Sequence, residues 1–164
     1  MLIGIMSDSH DNLTMLERAA GAMKKHGVDV LLHGGDYIAP FSIPYLKSTG
    51  AKTIIGIYGN NDGEIKGLKK VFDEIGGRLE KAPLRFDLQG LKIMMMHESI
   101  YLADAKEDPS LNVVIYAHTH KLFIEKKRGK IILNPGETCG YITGRKTIIL
   151  LNTETMEPET VDLV

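Results

Sequence analysis

The chain has 164 residues, 43% of them apolar and 25% charged, with a formal net charge of −1. This is globular composition with enough length for one domain and its own core, read here as a single domain over 1–164. No apolar run approaches the roughly 18 residues of a membrane span, and the near-neutral balance provides no global field for nucleic acid or an anionic membrane.

The chain opens on Leu2–Met6, a short buried strand by its composition. The spacing then becomes helical: Leu13, Leu16, Ala20 and Met23 share a face, Asp11 or Asn12 can cap the start, and Gly27 follows the end. Val28–His33 is a second strand. Ala39–Gly50 allows a short helix started by proline and stopped by Gly50, and Lys52–Tyr58 is a third strand. In Glu64–Gly77, Ile65, Leu68, Val71, Phe72 and Ile75 share one helical face. A βαβαβα order implies a parallel sheet with right-handed crossovers. The second half is richer in strands. Leu84–Leu88 and Leu91–Met96 flank the hairpin signal Gln89-Gly90, and Leu122–Lys126 and Lys130–Asn134 flank Arg128-Gly129. Val113–Ala117, Lys146–Asn152 and Glu159–Val164 complete the strands. The expected result is two mixed sheets face to face with helices outside.

The polar residues fall at strand ends. The first strand ends in Ser7-Asp8-Ser9-His10, the second in Gly34-Gly35-Asp36, the third in Gly59-Asn60-Asn61-Asp62. Later strands end in His97-Glu98 and in His118-Thr119-His120. Five apolar strands thus each deliver oxygen or imidazole donors at their carboxyl ends, the edge where open α/β sheets bind ligands. Any one of these pairs alone is ordinary turn chemistry; the five together point to a metal site. Asp8, His10, Asp36, Asn60, His97, His118 and His120 suffice for two divalent ions. Carboxylate, amide and imidazole without thiolate favour Mn²⁺, Ni²⁺, Fe²⁺ or Zn²⁺ over Mg²⁺, Ca²⁺ or a structural cysteine-bound zinc. Of these, Mn²⁺ or Ni²⁺ is the expected pair. Two such ions about 3.5–4 Å apart clamp a phosphate and activate a water. The expected chemistry is attack of metal-bound hydroxide on phosphorus.

Asp-x-His, Gly-Asp, Gly-Asn-x-Asp, a lone strand-end His and His-x-His, in this order from Asp8 to His120, resemble the calcineurin-like metallophosphoesterase superfamily. The short length resembles its small archaeal and bacterial phosphodiesterases. The resemblance implies an α/β fold, a four-layer α-β-β-α sandwich. It implies that Asp8, His10 and His120 hold one metal, that Asn60, His97 and His118 hold the other, and that Asp36 bridges them. The sequence departs from that pattern twice. Asn61 stands where a phosphate-contacting histidine is usual, so a substrate contact is expected of it but no proton. Glu98 stands where glycine is common. The implied activity is a phosphodiesterase on a small diester or nucleotide-like substrate. The alternatives are a phosphomonoesterase or nucleotidase with the same metals, and a protein-binding scaffold of the same fold. Long nucleic acid does not fit a chain with no basic excess. A homo-oligomer is compatible with the sequence.

The remaining polar residues read more plainly. His33 is a buried, satisfied histidine; His26, Lys66, Lys69 and Lys70 are surface. Lys126, Lys127, Arg128 and Lys130 form a solvated hairpin tip, and Asn134–Tyr141 is a turn that buttresses the site without a catalytic residue. Cys139 is the single cysteine, a packed side chain rather than a nucleophile, and a chain without a disulfide suits the cytoplasm. The first ten residues meet Asp8 too soon, and lack the basic start, for a signal peptide.

Overall fold

Strands β1 (Leu2–Met6), β2 (Val30–His33) and β3 (Thr53–Ile57) carry almost unbroken apolar runs, as strands covered on both faces require. In the computed structural model, which describes residues 1–164, they form the middle of a six-stranded sheet. Its order is β11-β10-β1-β2-β3-β4, with β4 at Arg78–Glu80, β10 at Thr147–Asn152 and β11 at Glu157–Asp162. β1 to β4 run parallel; β10 and β11 are antiparallel to their neighbours. A second sheet has the order β5-β6-β7-β9-β8, from Leu84–Leu88, Leu91–Met95, Val113–Ile115, Lys130–Pro135 and Leu122–Lys127 respectively. Here β6, β7 and β9 are parallel, and β5 and β8 are antiparallel edges. Both sheets are mixed, as expected.

Side-chain alternation builds the layers. Ile3, Ile5, Leu32, Ile55 and Ile57 point across to Ile93, Met95, Val113, Ile115 and Leu133, forming the core between the sheets. Met6, Leu31 and Ile54 point the other way, onto Leu16, Ala19 and Met23 of α1 (Leu13–His26) and Leu68 and Phe72 of α3 (Ile65–Glu74). On the far side Met94, Met96, Val114 and Ile132 pack on Ala105 of α4 (Leu102–Glu107). The run Met94–Met96 therefore serves two cores: Met95 faces the opposite sheet and its neighbours face the helix. Each fully buried side chain of this size contributes about 1.5–3 kcal/mol. The four-layer α-β-β-α sandwich follows.

The capping signals act as the spacing predicts. Asn12, not Asp11, caps α1, its side chain accepting from the Met15 N–H at 3.2 Å, and Gly27 ends the helix in the left-handed region at φ 70°. Both hairpins turn through left-handed pairs, Gln89-Gly90 and Arg128-Gly129. The single short helix expected over 39–50 is divided into a 3₁₀ turn at Pro40–Ser42 and α2 at Pro44–Lys47. Pro44 lacks the N–H that would carry an α-helix across that junction. Three elements escaped the sequence reading. β4 has three residues with only Leu79 buried, too few for alternation to register. The 3₁₀ turn at Ser99–Tyr101 and α4 occupy one short stretch between strands. β11 also begins two residues earlier than expected.

One surface assignment is corrected. Lys126, Lys127 and Arg128 are exposed, but Lys130 is buried. Its Nζ donates to the carbonyls of Ala105, Lys106 and Asp108 at 2.6–2.8 Å, capping the C-terminal end of α4 with a cation. Sequence position beside a charged turn concealed a lysine that enters from the adjacent strand. Replacing it leaves carbonyls unsatisfied, so Lys130→Met should lower unfolding free energy by roughly 2–3 kcal/mol, read from the urea midpoint at unchanged slope.

Candidate metal centre

Because β1, β2, β3, β6, β7 and β9 point their carboxyl ends to one edge, six chain segments meet there. All seven side chains expected to bind metal converge at it. Asp8 and Asp36 are fully buried. His120 Nε2 lies 3.4 Å from Asp8 Oδ1, and His10 Nε2 lies 3.4 Å from Asp36 Oδ2. His97 Nε2 lies 3.4 Å from the same Asp36 oxygen. Asn60 Oδ1 sits 2.9 Å from His97 Nε2 and 2.8 Å from His118 Nδ1. Asp36 thus faces the imidazoles of both His10 and His97, and Asp8, Asp36 and His97 place ligand atoms within 4.8 Å of one another.

The donor set is prepared for a cation. Both Asp8 carboxylate oxygens and His10 Nε2 are buried without a hydrogen-bond partner. Burial pushes the Asp8 carboxyl up from its usual range, outweighing the opposing pull of His97, Ser7 and His120. Asp36 is held below the usual range: burial opposes this, but His97 and the two Asn61 donors outweigh it. His97 donates from Nδ1 to the Gly34 carbonyl at 2.7 Å, and His120 from Nδ1 to Glu137 at 2.8 Å, so each aims Nε2 into the site. A cation between these groups would satisfy the orphaned Asp8 oxygens and match a mixed oxygen and nitrogen shell. Cys139 Sγ is also close to His10 and His120. It donates to Glu137 at 3.2 Å, and burial pushes the thiol up to about 12, so it adds no thiolate to the set.

The backbone at this edge is unusual. Ten non-glycine residues have positive φ, and five of them are Asp8, His10, Asp36, His118 and His120. Such conformations persist where surrounding bonds over-determine them. Here the N–H groups of Asp8, Ser9 and His10 donate to the carbonyls of Gly35 and Asp36, at 3.0–3.1 Å. Asp62 is buried and accepts from the N–H groups of Asp36, Tyr37, Ile38 and Gly59, at 2.7–3.0 Å. It does more than complete a turn: it ties the second strand end to the third. His33 is buried as expected, its Nδ1 accepting from Gly35 N–H and its Nε2 facing Ser9 Oγ, both at 3.1 Å; burial lowers it to about 3, so it is a neutral brace. Asn134 donates to the Ala117 carbonyl and Thr119 Oγ1, both at 3.0 Å, holding the His-x-His segment.

The residue missed by sequence reasoning is Glu137. It is fully buried two residues beyond β9 and collects His120, Cys139, Thr143 and the N–H of Ile142. Despite the upward push of burial, the donors from His120, Thr143 and Ile142 bring it down to about 2. An acidic residue in a turn-rich stretch looks solvated; the signal available was its place at a sixth strand end on the same edge. Asn61 is placed differently from a free substrate contact: Nδ2 donates to Asp36 Oδ2 at 2.7 Å and its N–H to Oδ1 at 2.9 Å.

This fold and edge define a family. The chain belongs to the calcineurin-like phosphoesterase superfamily, whose domain model matches residues 1–156. It is 36% identical over 160 residues to the phosphodiesterase MJ0936 of Methanocaldococcus jannaschii, with 96% of each chain covered. The solved structure of an archaeal phosphodiesterase superposes with a TM-score of 0.93 at 35% identity, over 99% of this chain and 100% of that one. Zinc-bound Vps29 from Entamoeba histolytica shares the fold at 19% identity, with a TM-score of 0.69 over the full length of both chains. No helix is long and apolar enough to cross a membrane.

Three outcomes follow from this geometry. A Cβ on Gly59 would stand 2.1 Å from Asp36 Oδ1 and 2.5 Å from its backbone nitrogen. Gly59→Ala should therefore displace Asp36 and lower metal uptake, read as metal per chain after reconstitution and dialysis. Glu137→Gln should weaken metal binding about 10–100-fold, measured by competition with a chromophoric chelator. Because the folded Glu137 pKa lies below its ordinary value, its stabilisation is present above that value and lost as pH falls towards about 2. The difference in Tm between wild type and Glu137→Gln should be full at neutral pH and vanish across that acid window.

Proposed function

We propose that the protein is a phosphodiesterase dependent on two divalent transition metal ions, acting on a small diester. The observation that carries this reading is the buried pair Asp8 and Asp36, faced by the imidazoles of His10, His97 and His120, with both Asp8 oxygens lacking a hydrogen-bond partner. The full-length likeness to named phosphodiesterases supports it. In this reading Asp8, His10 and His120 hold one ion, Asn60, His97 and His118 hold the other, and Asp36 serves both. Bound there, the ions supply positive charge for the phosphate and acidity for the attacking water. The donor set favours Mn²⁺ or Ni²⁺, and the single buried cysteine suits a cytoplasmic setting.

The chain's own groups do the rest. Glu137 and Gly34 fix the rings of His120 and His97. Asn61 Nδ2, held at the Asp36 carboxylate, is within reach of an ester oxygen bound beside it and can donate a hydrogen bond. A neutral amide cannot deliver a proton to the leaving oxygen near neutral pH. The convergence of all seven side chains at one edge supports an enzyme over the scaffold alternative.

Reconstituted protein should approach two ions per chain by elemental analysis, and a chelator should abolish diester hydrolysis; a saturating content of zero, or chelator-resistant turnover, sinks the reading. Asp36→Asn should damage turnover at least as much as any other change among the seven. In a leaving-group series at fixed pH, wild type should depend steeply on leaving-group pKa. General-acid help is worth roughly 10²–10⁴-fold, so Asn61→His should flatten the dependence by aiding poor leaving groups most.

A further inference from the structure

We infer that the cavity beside Asn60 and His97 seats the organic group that stays on phosphorus, and that this group is flat, apolar and uncharged. The inference rests on the phosphodiesterase reading. The cavity has about 300 Å³ of space, at the small end of small-molecule sites. Tyr58, Pro83, Ile100 and Tyr101 give it apolar walls, and Lys81 and Glu98 are its two charged residues. Their formal charges cancel, and neither takes part in a salt bridge with the other, so the pair supplies no net positive field for a second phosphate.

The wall formed by Ile100 and Tyr101 is specific to function rather than packing. These side chains are 72% and 48% exposed, large apolar surface left in water beside a polar centre. They sit on the 3₁₀ turn that leads into α4, and α4 is fixed from behind by Lys130. The turn is therefore anchored without burying Ile100 or Tyr101, and a flat ligand can cover them. Glu98, the residue that departs from the family pattern, opens this turn and lines the same cavity.

Of the seven donors only Asn60 and His97 border the cavity, so a diester bound at them would reach it with one of its two organic arms. The arm that stays on phosphorus is the one assigned to it, and esters that share a leaving group and differ in the retained arm read that assignment.

The test uses metal-loaded, full-length protein and two diesters with the same leaving group, phenyl p-nitrophenyl phosphate and methyl p-nitrophenyl phosphate. Wild type should show the lower KM for the phenyl ester. The variant Ile100→Ala/Tyr101→Ala should shrink that preference roughly tenfold, through a larger rise in KM for the phenyl ester than for the methyl ester. Hydrolysis of both esters with no phenyl preference overturns the inference and leaves the phosphodiesterase reading intact. So does a preference that survives in the variant, or an equal loss on both esters. Hydrolysis of neither ester by wild type removes both readings together.

Discussion

Two carboxylates, Asp8 and Asp36, are buried at one sheet edge, and the arrangement around them answers that electrostatic cost. An isolated buried carboxylate neutralises itself by shifting its pKa. Asp8 shows that tendency, whereas Asp36 is kept ionised by His97 and Asn61. The imidazoles, the Asn60 amide and the carboxylate of Glu137 behind His120 form successive shells about this pair. The sheets supply rigidity: parallel strands with every carboxyl end at one edge hold donors from six chain segments without relying on any long loop.

The seven donors were legible in the sequence because each is a local signal, a polar residue at the end of an apolar run. Order and spacing then made five weak signals into one strong one. What was not legible depends on partners distant in the chain. Asp62 looks like turn chemistry until it is seen gathering N–H groups from Asp36, Tyr37 and Ile38. Glu137 meets His120 across two strands, and Lys130 reaches back to α4. A charged side chain is read as solvated unless its burial is known, and burial is a property of the fold. The same holds for β4 and α4, whose few residues lie below the length at which periodicity can be recognised.

Asn61 illustrates how a departure from a family pattern is accommodated. A neutral amide in a histidine's place loses proton transfer but keeps a donor, and its hydrogen bonds to both Asp36 oxygens bring it into the shell around that carboxylate.

The left-handed backbone at Asp8, His10, Asp36, His118 and His120 has a consequence for anyone engineering this chain. These are positions where an L-residue is conformationally uncomfortable and where glycine would relax the chain, yet all five carry side chains that converge at the candidate site. The edge is thus a reservoir of foregone stability. A stability-only selection could gain by replacing these residues with glycine, relaxing the backbone while removing the side chains gathered at the candidate site. Screens for robustness need a metal-retention readout alongside the melting temperature to avoid that outcome.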